Sequence, residues 1–308
     1  MTLSPDELEL IEVLKSKFLR KRNSEILLGI GDDAAVLKNS LQNLVATSDT
    51  TTDGIHADLR FISPLDFGWK AITRAVSDIS VMGCVAKYLL VKVVAPSGFN
   101  ALEQFFEGVH LASSIYATEV IGGDISLGLR PSPSVFVLGD TFPNQSYVTR
   151  SGAKAGELIF LTKKLGLAAK ILKDLGSKRM PSEDELEEFK RPIAQVIQGV
   201  CANKAKASAM CDISDGLALD LDRVAVASCV GFSLNENFVA KGPSLNDALY
   251  GGDDYALVFC APDRQAVVRE FEDHRLDPPV ETGVCVSDPT QRLLAGKPLK
   301  ISGFIHKF

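Results

Sequence analysis

The chain has 308 residues, of which 46% are hydrophobic and 23% are charged, a balance that excludes a disordered protein and allows two domains. Its formal net charge of -6 argues against a broad surface for a phosphate backbone, so we expect no nucleic-acid partner. The sequence has no apolar run long enough to span a membrane, and its N-terminus is acidic where a secretion signal would be basic. We therefore expect a cytoplasmic protein without a membrane partner.

The first half of the chain alternates helical and strand patterns. Ser4, Pro5 and Glu7 form a capping box with proline at the first helical position, which predicts a helix start. The remaining patterns predict helices at 64–82 and 101–117, strands at 44–47, 88–95 and 134–138, and an apolar segment at Val120 and Ile121. Interleaved helices and strands indicate an α/β domain.

A domain boundary is predicted near the middle of the chain. The stretch 132–156 is rich in Pro, Gly and Ser and contains the turn signal Pro143-Asn144. We therefore predict an N-terminal domain of residues 1–147 and a C-terminal α/β domain of residues 148–308. The second half predicts strands at 158–162, 209–213 and 255–260 and helices at 183–205 and 217–228.

Aspartates collect beside glycines at the predicted strand ends and helix starts. The segments are GIGDDAAVL (29–37), TSDTTTDGIH (47–56), AVSDISVMG (75–83), VIGGDIS (120–126), CDISDGL (211–217) and YGGDDYALVF (250–259). A single segment of this kind is more typical of a turn or a helix cap. Asp78, Asp124 and Asp212, however, lie within or just after apolar stretches, where an unpaired carboxylate is costly to bury.

Converging carboxylates need cations. Two such charges 4 Å apart repel by about 4 kcal/mol at an effective dielectric near 20. Hydroxyl groups at Thr47, Ser48 and Ser214 add hard oxygen donors, which favours Mg²⁺ and nucleotide chemistry. Gly122 and Gly123 allow backbone N–H groups to approach phosphate, or simply form a tight turn. The sequence contains neither a P-loop nor a G-x-G-x-x-G motif, so ATP binding needs another fold.

Taken together with TRSGAKAGE (149–157), these segments resemble the thiamine-monophosphate kinase family, within the aminoimidazole-ribonucleotide-synthetase-like ATP-binding superfamily. The matching segments run in order from residue 29 to residue 259. The resemblance implies a two-domain α/β fold with mixed sheets, paired in a homodimer through the N-terminal domains. It also implies that ATP and several Mg²⁺ ions bind in a crevice between the domains, and that thiamine monophosphate is phosphorylated to thiamine diphosphate.

The resemblance assigns roles to individual residues. The implied metal ligands are Asp33, Thr47, Ser48, Asp49, Asp78, Asp124, Asp212 and Asp215. The implied ATP contacts are Phe106, Gly123, Asp124, Arg150 and Ser214. The implied substrate contacts are His56, Asp253 and Phe304. Phe106 is equally compatible with a helix core, a lone histidine such as His56 with a surface or capping role, and Asp253 stands where the family usually has Glu.

Phosphoryl transfer requires mainly alignment and charge neutralisation. We therefore expect direct in-line transfer without a protein nucleophile, with Mg²⁺ and Arg150 offsetting the developing charge. Two alternatives stay open, namely another ATP-using enzyme of the superfamily, such as one like aminoimidazole ribonucleotide synthetase, and a non-catalytic nucleotide or Mg²⁺ sensor. Release of ADP that depends on thiamine monophosphate separates these alternatives from the kinase.

Overall fold

The computed structural model describes residues 13–14, 16–18, 26–28, 36–37 and 43–305. Contacts between Cα atoms divide the chain into two compact units. The first unit contains the described residues up to Ile79 together with Val85–Thr141, and the second contains Ser80–Cys84 and the chain from Phe142 onward. This division does not test the predicted domain boundary between residues 147 and 148, which stays a prediction.

The first unit is built from two longer helices and six strands in the described part of the chain. The helices are α1 (Pro64–Ser80) and α2 (Leu102–Ile115). The strands are β1 (Ile26–Leu28), β2 (Val36–Leu37), β3 (Val45–Thr50), β4 (Cys84–Ala95), β5 (Glu119–Leu127) and β6 (Ser132–Thr141). Strands β1 and β2 form an antiparallel pair, and the other four form the sheet β3-β6-β4-β5, in which β3 and β6 are antiparallel and β4 and β5 are parallel.

Helix α1 begins where its sequence predicts a start. The Oγ of Ser63 accepts the backbone N–H of Asp66 at 3.1 Å, and the Asp66 carboxylate accepts the backbone N–H of Ser63 at 3.2 Å, while Pro64 occupies the first helical position. The helix then packs closely on α2, since a Cβ atom added at Gly108 would lie 1.8 Å from the carbonyl oxygen of Leu65. Glycine therefore allows the two helix backbones to touch.

The sheet of the first unit has one covered and one uncovered face. In β6, Val135 and Val137 are fully buried, while Phe136 between them is 46% exposed. Successive side chains of a strand point to opposite faces, so Phe136 marks the uncovered face. This pattern is typical of a sheet with helices on one side only.

The second unit contains a larger mixed sheet. Its strands are β7 (Leu158–Leu161), β8 (Ala209–Asp212), β9 (Gly231–Leu234), β10 (Leu257–Ala261), β11 (Val280–Val286), β12 (Arg292–Leu294) and β13 (Lys297–Pro298), in the order β13-β12-β9-β11-β7-β10-β8 within the described residues. Its helices are α3 (Leu167–Gly176), α4 (Glu183–Lys190), α5 (Val196–Lys204), α6 (Leu217–Ser228), α7 (Leu245–Tyr250) and α8 (Arg264–Asp273). Only β9 and β12 are parallel among the pairs described in this sheet.

The core of the second unit lies on both faces of its sheet. Alternate residues of β10 belong to different hydrophobic clusters, with Val258 in one and Phe259 in the other. Every residue of β10 is buried, as expected for a strand covered on both sides. The mixed sheets with interleaved helices confirm the predicted α/β class.

Three predictions from the sequence need correction or lie beyond the structure. The helix predicted over 183–205 is two helices, α4 and α5, because Pro192 lies between them and proline cannot continue a helix. The apolar segment at Val120 and Ile121 is the start of a strand that continues to Leu127, which puts Asp124 inside β5 rather than after a strand. The capping box at Ser4 lies outside the described residues.

None of the helices in the described part of the chain has the length and apolar character needed to span a membrane.

Candidate functional site

The end of β8 and the loop that joins it to α6 carry three of the predicted site residues. β8 ends at Asp212 and α6 begins at Leu217, so Ser214 and Asp215 follow directly after the strand. Asp212 is 7% exposed, whereas the carboxylate of Asp215 stays accessible to solvent. The loop therefore presents a hydroxyl and a carboxylate from the end of a buried strand.

Asp220 holds this loop from within α6. Its Oδ2 accepts the backbone N–H groups of Ser214 at 3.1 Å and of Asp215 at 2.9 Å, and its Oδ1 accepts a hydrogen bond from Nη1 of Arg223 at 2.6 Å. The residue is 0% exposed. Burial raises the pKa of the Asp220 carboxyl to about 7, although the N–H of Asp215 lowers it. The negative charges of Asp212 and Asp215 raise that pKa further, and Arg223 opposes them.

Two arginines border the same loop. Nη1 of Arg223 also lies 2.7 Å from Oδ2 of Asp215, so one guanidinium joins two carboxylates. Arg150 is exposed and lies near Cys211 and Asp212. Positive charge is thus available beside the predicted ligands of the second unit.

Two other segments of the chain contact the Ser214–Asp215 loop through backbone hydrogen bonds. The backbone N–H of Asp253 donates to the carbonyl oxygen of Ser214 at 3.3 Å, and that of Phe304 donates to the carbonyl oxygen of Asp215 at 3.0 Å. A Cβ atom at Gly252 would lie 1.9 Å from the carbonyl oxygen of Ser214, so this approach requires glycine. The structure therefore brings together Ser214, Asp215, Asp253 and Phe304.

The segment that contains Asp253 has an unusual backbone. Asp253 has a φ angle of +64° and Tyr255 one of +50°, both in the left-handed region. Between them, Asp254 is buried and accepts the backbone N–H of Gly166 at 2.7 Å, directly before α3. Burial raises the pKa of the Asp254 carboxyl to about 6, while the N–H groups of Gly166 and Ala168 lower it.

In the first unit, α1 places two side chains against β3. Oγ1 of Thr47 donates to Oδ2 of Asp78 at 2.8 Å, and Nε of Arg74 donates to Oδ2 of Asp49 at 3.0 Å. Thr47 and Asp49 are two residues apart and share one face of the strand. Ser48 lies on the opposite face, so its hydroxyl is not brought to the same place.

Gly123 and Asp124 lie in the middle of β5. Asp124 is paired in register with Lys92 of β4, and their side chains form an ion pair of 3.2 Å in which the carboxylate is 55% exposed. A Cβ atom at Gly123 would lie 1.9 Å from the carbonyl oxygen of Val91. This glycine is therefore required by the packing of β5 on β4, whether or not it contacts ATP.

Three predicted contacts have structural roles or lie outside the described residues. Phe106 is 4% exposed, and its ring meets that of Phe105 edge to face at 5.2 Å, as in a helix core. His56 accepts the backbone N–H of Thr52 at Nδ1 over 3.0 Å. Asp33 lies outside the described residues. The ATP contact of Phe106, the substrate contact of His56 and the metal contact of Asp33 stay predictions.

The oxygen donors in each unit are of the kind that Mg²⁺ prefers. Oγ1 of Thr47 and Oδ2 of Asp78, which are joined by a hydrogen bond, are both hard oxygen donors. The donor chemistry therefore fits Mg²⁺. Across the described residues, His, Cys, Asp and Glu side chains form no group of three or more that could hold a metal ion. The predicted ligands stay predictions.

Sequence reasoning missed the residues that act on these aspartates. Arg74, Lys92 and Arg223 pair with predicted ligands, and Asp220 orders a loop. The signal for Asp220 was present, because it lies three residues after Leu217 on the apolar side of a predicted helix. A carboxylate at a buried helical position needs donors, and here the donors are the loop N–H groups.

The chain is similar to known proteins in both sequence and fold. Residues 31–141 match the family model of the AIR synthase related protein, N-terminal domain. The chain is 32% identical to thiamine-monophosphate kinase of Bacillus subtilis over 82% of this chain and 82% of that protein. It superposes on thiamine-monophosphate kinase from Stenotrophomonas maltophilia K279a with a TM-score of 0.83 and 28% identity, covering 96% of this chain and 99% of that chain. It superposes on AaThiL complexed with AMPPCP and TMP with a TM-score of 0.75 and 28% identity, covering 96% of each chain. These matches confirm the resemblance found in the sequence.

Proposed function

The chain belongs to the thiamine-monophosphate kinase family, and we propose that it transfers the γ-phosphoryl group of ATP directly to thiamine monophosphate, forming thiamine diphosphate. The observation that carries this proposal is the meeting of the Asp253 and Phe304 segments at the Ser214–Asp215 loop. By family resemblance, Ser214 is an ATP contact and Asp253 and Phe304 are substrate contacts. Groups proposed for both co-substrates therefore share one loop cluster.

Binding of both co-substrates is supported by the structure of a relative with two bound molecules. AaThiL is complexed with TMP and with AMPPCP, an ATP analogue whose β–γ bridge is a methylene group. For this chain we propose ATP contacts at Phe106, Gly123, Asp124, Arg150 and Ser214. The substrate contacts would be His56, Asp253 and Phe304.

We further propose that the enzyme requires Mg²⁺. The residues that would hold several such ions are Asp33, Thr47, Asp49, Asp78, Asp124, Asp212 and Asp215, together with Ser48 from the opposite face of β3. Bound there, the metal ions would neutralise phosphate charge during transfer. The hard-oxygen character of these donors supports this part of the proposal.

Transfer proceeds without a protein nucleophile. A phosphate oxygen of thiamine monophosphate forms the new bond to the γ-phosphorus, while the bond from that phosphorus to the β–γ bridging oxygen breaks and ADP leaves with the electron pair. Nδ1 of His56 already accepts a backbone N–H, and burial raises the pKa of the Cys211 thiol, which keeps it protonated. Carboxylates committed to a metal are poor nucleophiles. Arg150 would offset charge on the transferred group.

We also propose that the enzyme is a cytoplasmic homodimer. Exposed apolar side chains on the first unit support the dimer, namely Phe136 on the uncovered sheet face, Leu127 at the end of β5 and Leu129 two residues later. Large exposed apolar surface on a soluble protein is typical of an interaction site.

The proposed activity is tested by measuring ADP release from ATP and Mg²⁺ with and without thiamine monophosphate. We expect release that depends on thiamine monophosphate. Release independent of it, or none at all, would refute the kinase and favour the superfamily enzyme or the sensor.

The direct route is tested with ATP made chiral at the γ-phosphorus. A single in-line displacement inverts the configuration, whereas two displacements through a phosphoenzyme restore it. We expect inversion, and a product with retained configuration would exclude direct transfer.

A further inference from the structure

Asp220 is a fully buried carboxylate that is not among the predicted site residues. It lies on α6 without solvent exposure, next to the negative charges of Asp212 and Asp215, and its cationic contact is Arg223. An apolar residue at a fully buried position usually serves stability as well as a buried ion pair does. What points to a role beyond stability is which groups Asp220 contacts, namely the backbone N–H groups of Ser214 and Asp215.

Those contacts end at the loop that carries the proposed ligands. Oδ2 of Asp220 accepts two consecutive backbone N–H groups, those of Ser214 and Asp215, which fixes the direction of the peptide between them. Oδ1 holds Arg223, whose Nη1 in turn lies 2.7 Å from the Asp215 carboxylate. Both the backbone and the side chain of Asp215 are thus oriented by Asp220, the side chain through Arg223.

The same loop supports the proposed substrate contacts. Asp253 and Phe304 donate backbone N–H groups to the carbonyl oxygens of Ser214 and Asp215. If the Ser214–Asp215 peptide rotates, both acceptors change direction. A change at Asp220 would therefore reach ATP, metal and substrate groups together.

We propose that Asp220 is a positioning residue of the kinase site, which holds Ser214 and, through Arg223, the Asp215 carboxylate in the orientation needed for metal binding and phosphoryl transfer. This inference rests on the proposed function. It assigns to Asp220 no contact with substrate.

The test uses Asp220→Asn in the full-length protein, with Asp222→Asn as the matched control. Asp222 lies on the same helix and pairs with Arg292 at 2.6 Å. Its variant therefore removes the same charge and one ion pair, but at a position that does not contact the loop. Mn²⁺ binding without nucleotide is read from the electron paramagnetic resonance signal of the free ion, and kcat is measured at saturating Mg²⁺. Thermal unfolding is followed for both variants.

We expect Asp220→Asn to lower kcat at least tenfold and to weaken Mn²⁺ binding at least fivefold, while Asp222→Asn stays within twofold of wild type in both. If Asp220 contributed only its charge to metal affinity, kcat of the variant at saturating Mg²⁺ would equal that of the wild type. That result would overturn the positioning role. Wild-type kcat and Mn²⁺ affinity with a lower unfolding temperature would show a purely structural residue and also overturn it.

A second variant covers the case in which Asp220→Asn does not fold. Arg223→Gln changes a partly exposed side chain, and we expect it to weaken Mn²⁺ binding and to lower kcat; wild-type values would refute the link to Asp215. Wild-type enzyme without ADP release dependent on thiamine monophosphate would refute the proposed function instead. In that case the Mn²⁺ measurement alone decides the role of Asp220.

Discussion

At the residue scale, the proposed metal ligands Asp212 and Asp124 differ in their solvent exposure. Asp212 is nearly buried at the end of β8, whereas Asp124 is largely exposed in mid-strand and paired with Lys92. We expect Asp212→Asn and Asp124→Asn each to lower kcat by about 100-fold, or roughly 2.7 kcal/mol of transition-state stabilisation, without unfolding the protein. A coupled ADP assay with circular dichroism measures both, and the exposed Asp277→Asn serves as control. Near-normal rates in both variants would contradict the metal assignment.

Asp253 provides a second residue-scale prediction. Its φ of +64° suits Asp or Asn better than most residues, so Asp253→Asn removes the charge while keeping the backbone. We expect this variant, and more strongly Asp253→Ala, to raise the KM for thiamine monophosphate about tenfold and the KM for ATP much less. Steady-state kinetics with each co-substrate varied in turn give both constants. Equal changes in the two KM values would assign Asp253 to another partner.

At the scale of elements, the start of α3 depends on a residue far away in the chain. Gly166, which precedes the helix, donates its N–H to Asp254 across 88 residues. The pKa of the Asp254 carboxyl is raised from an ordinary 3.8 to about 6, so the folded state retains a proton that the unfolded state has lost between these values. Stability contributed by this group is therefore greatest below pH 4 and declines as the pH rises through about 6.

We expect Asp254→Asn to lose this pH dependence. Relative to wild type, the variant should gain stability between pH 4 and pH 7, by up to about 3 kcal/mol, since one pKa unit corresponds to about 1.4 kcal/mol. Chemical denaturation at several pH values measures the difference. Parallel stability curves for the two proteins would show that Asp254 ionises normally.

At the scale of the whole molecule, the uncovered sheet face of the first unit supports the proposed homodimer. We expect sedimentation equilibrium at micromolar concentration to give twice the chain mass of 33.2 kDa. Phe136→Asp should shift the protein toward the monomer, because it places a charge on the 46%-exposed side chain of that face. Leu172→Asp changes an apolar residue of α3 that is 51% exposed, and it should leave the mass unchanged. A wild-type monomer would contradict the proposal.

The sequence by itself determined the family, the α/β class and the position of most elements. α6 occupies residues 217–228 as predicted, and the ordered aspartate segments led to the family that the comparisons confirm. These features are local, because side-chain periodicity, caps and short motifs are written within a few consecutive residues. The break at Pro192 is also local, and the prediction of one long helix over it was avoidable.

Only the tertiary structure decided which charged groups meet. Asp49 meets Arg74, Asp254 meets the backbone before α3, and Asp220 meets the Ser214–Asp215 loop through its own helix. Such pairings depend on how distant backbone segments pack, and burial decides whether a carboxylate needs a partner. The physical reason is that periodicity indicates which face of a helix is buried, but not which donors of the rest of the chain lie against it.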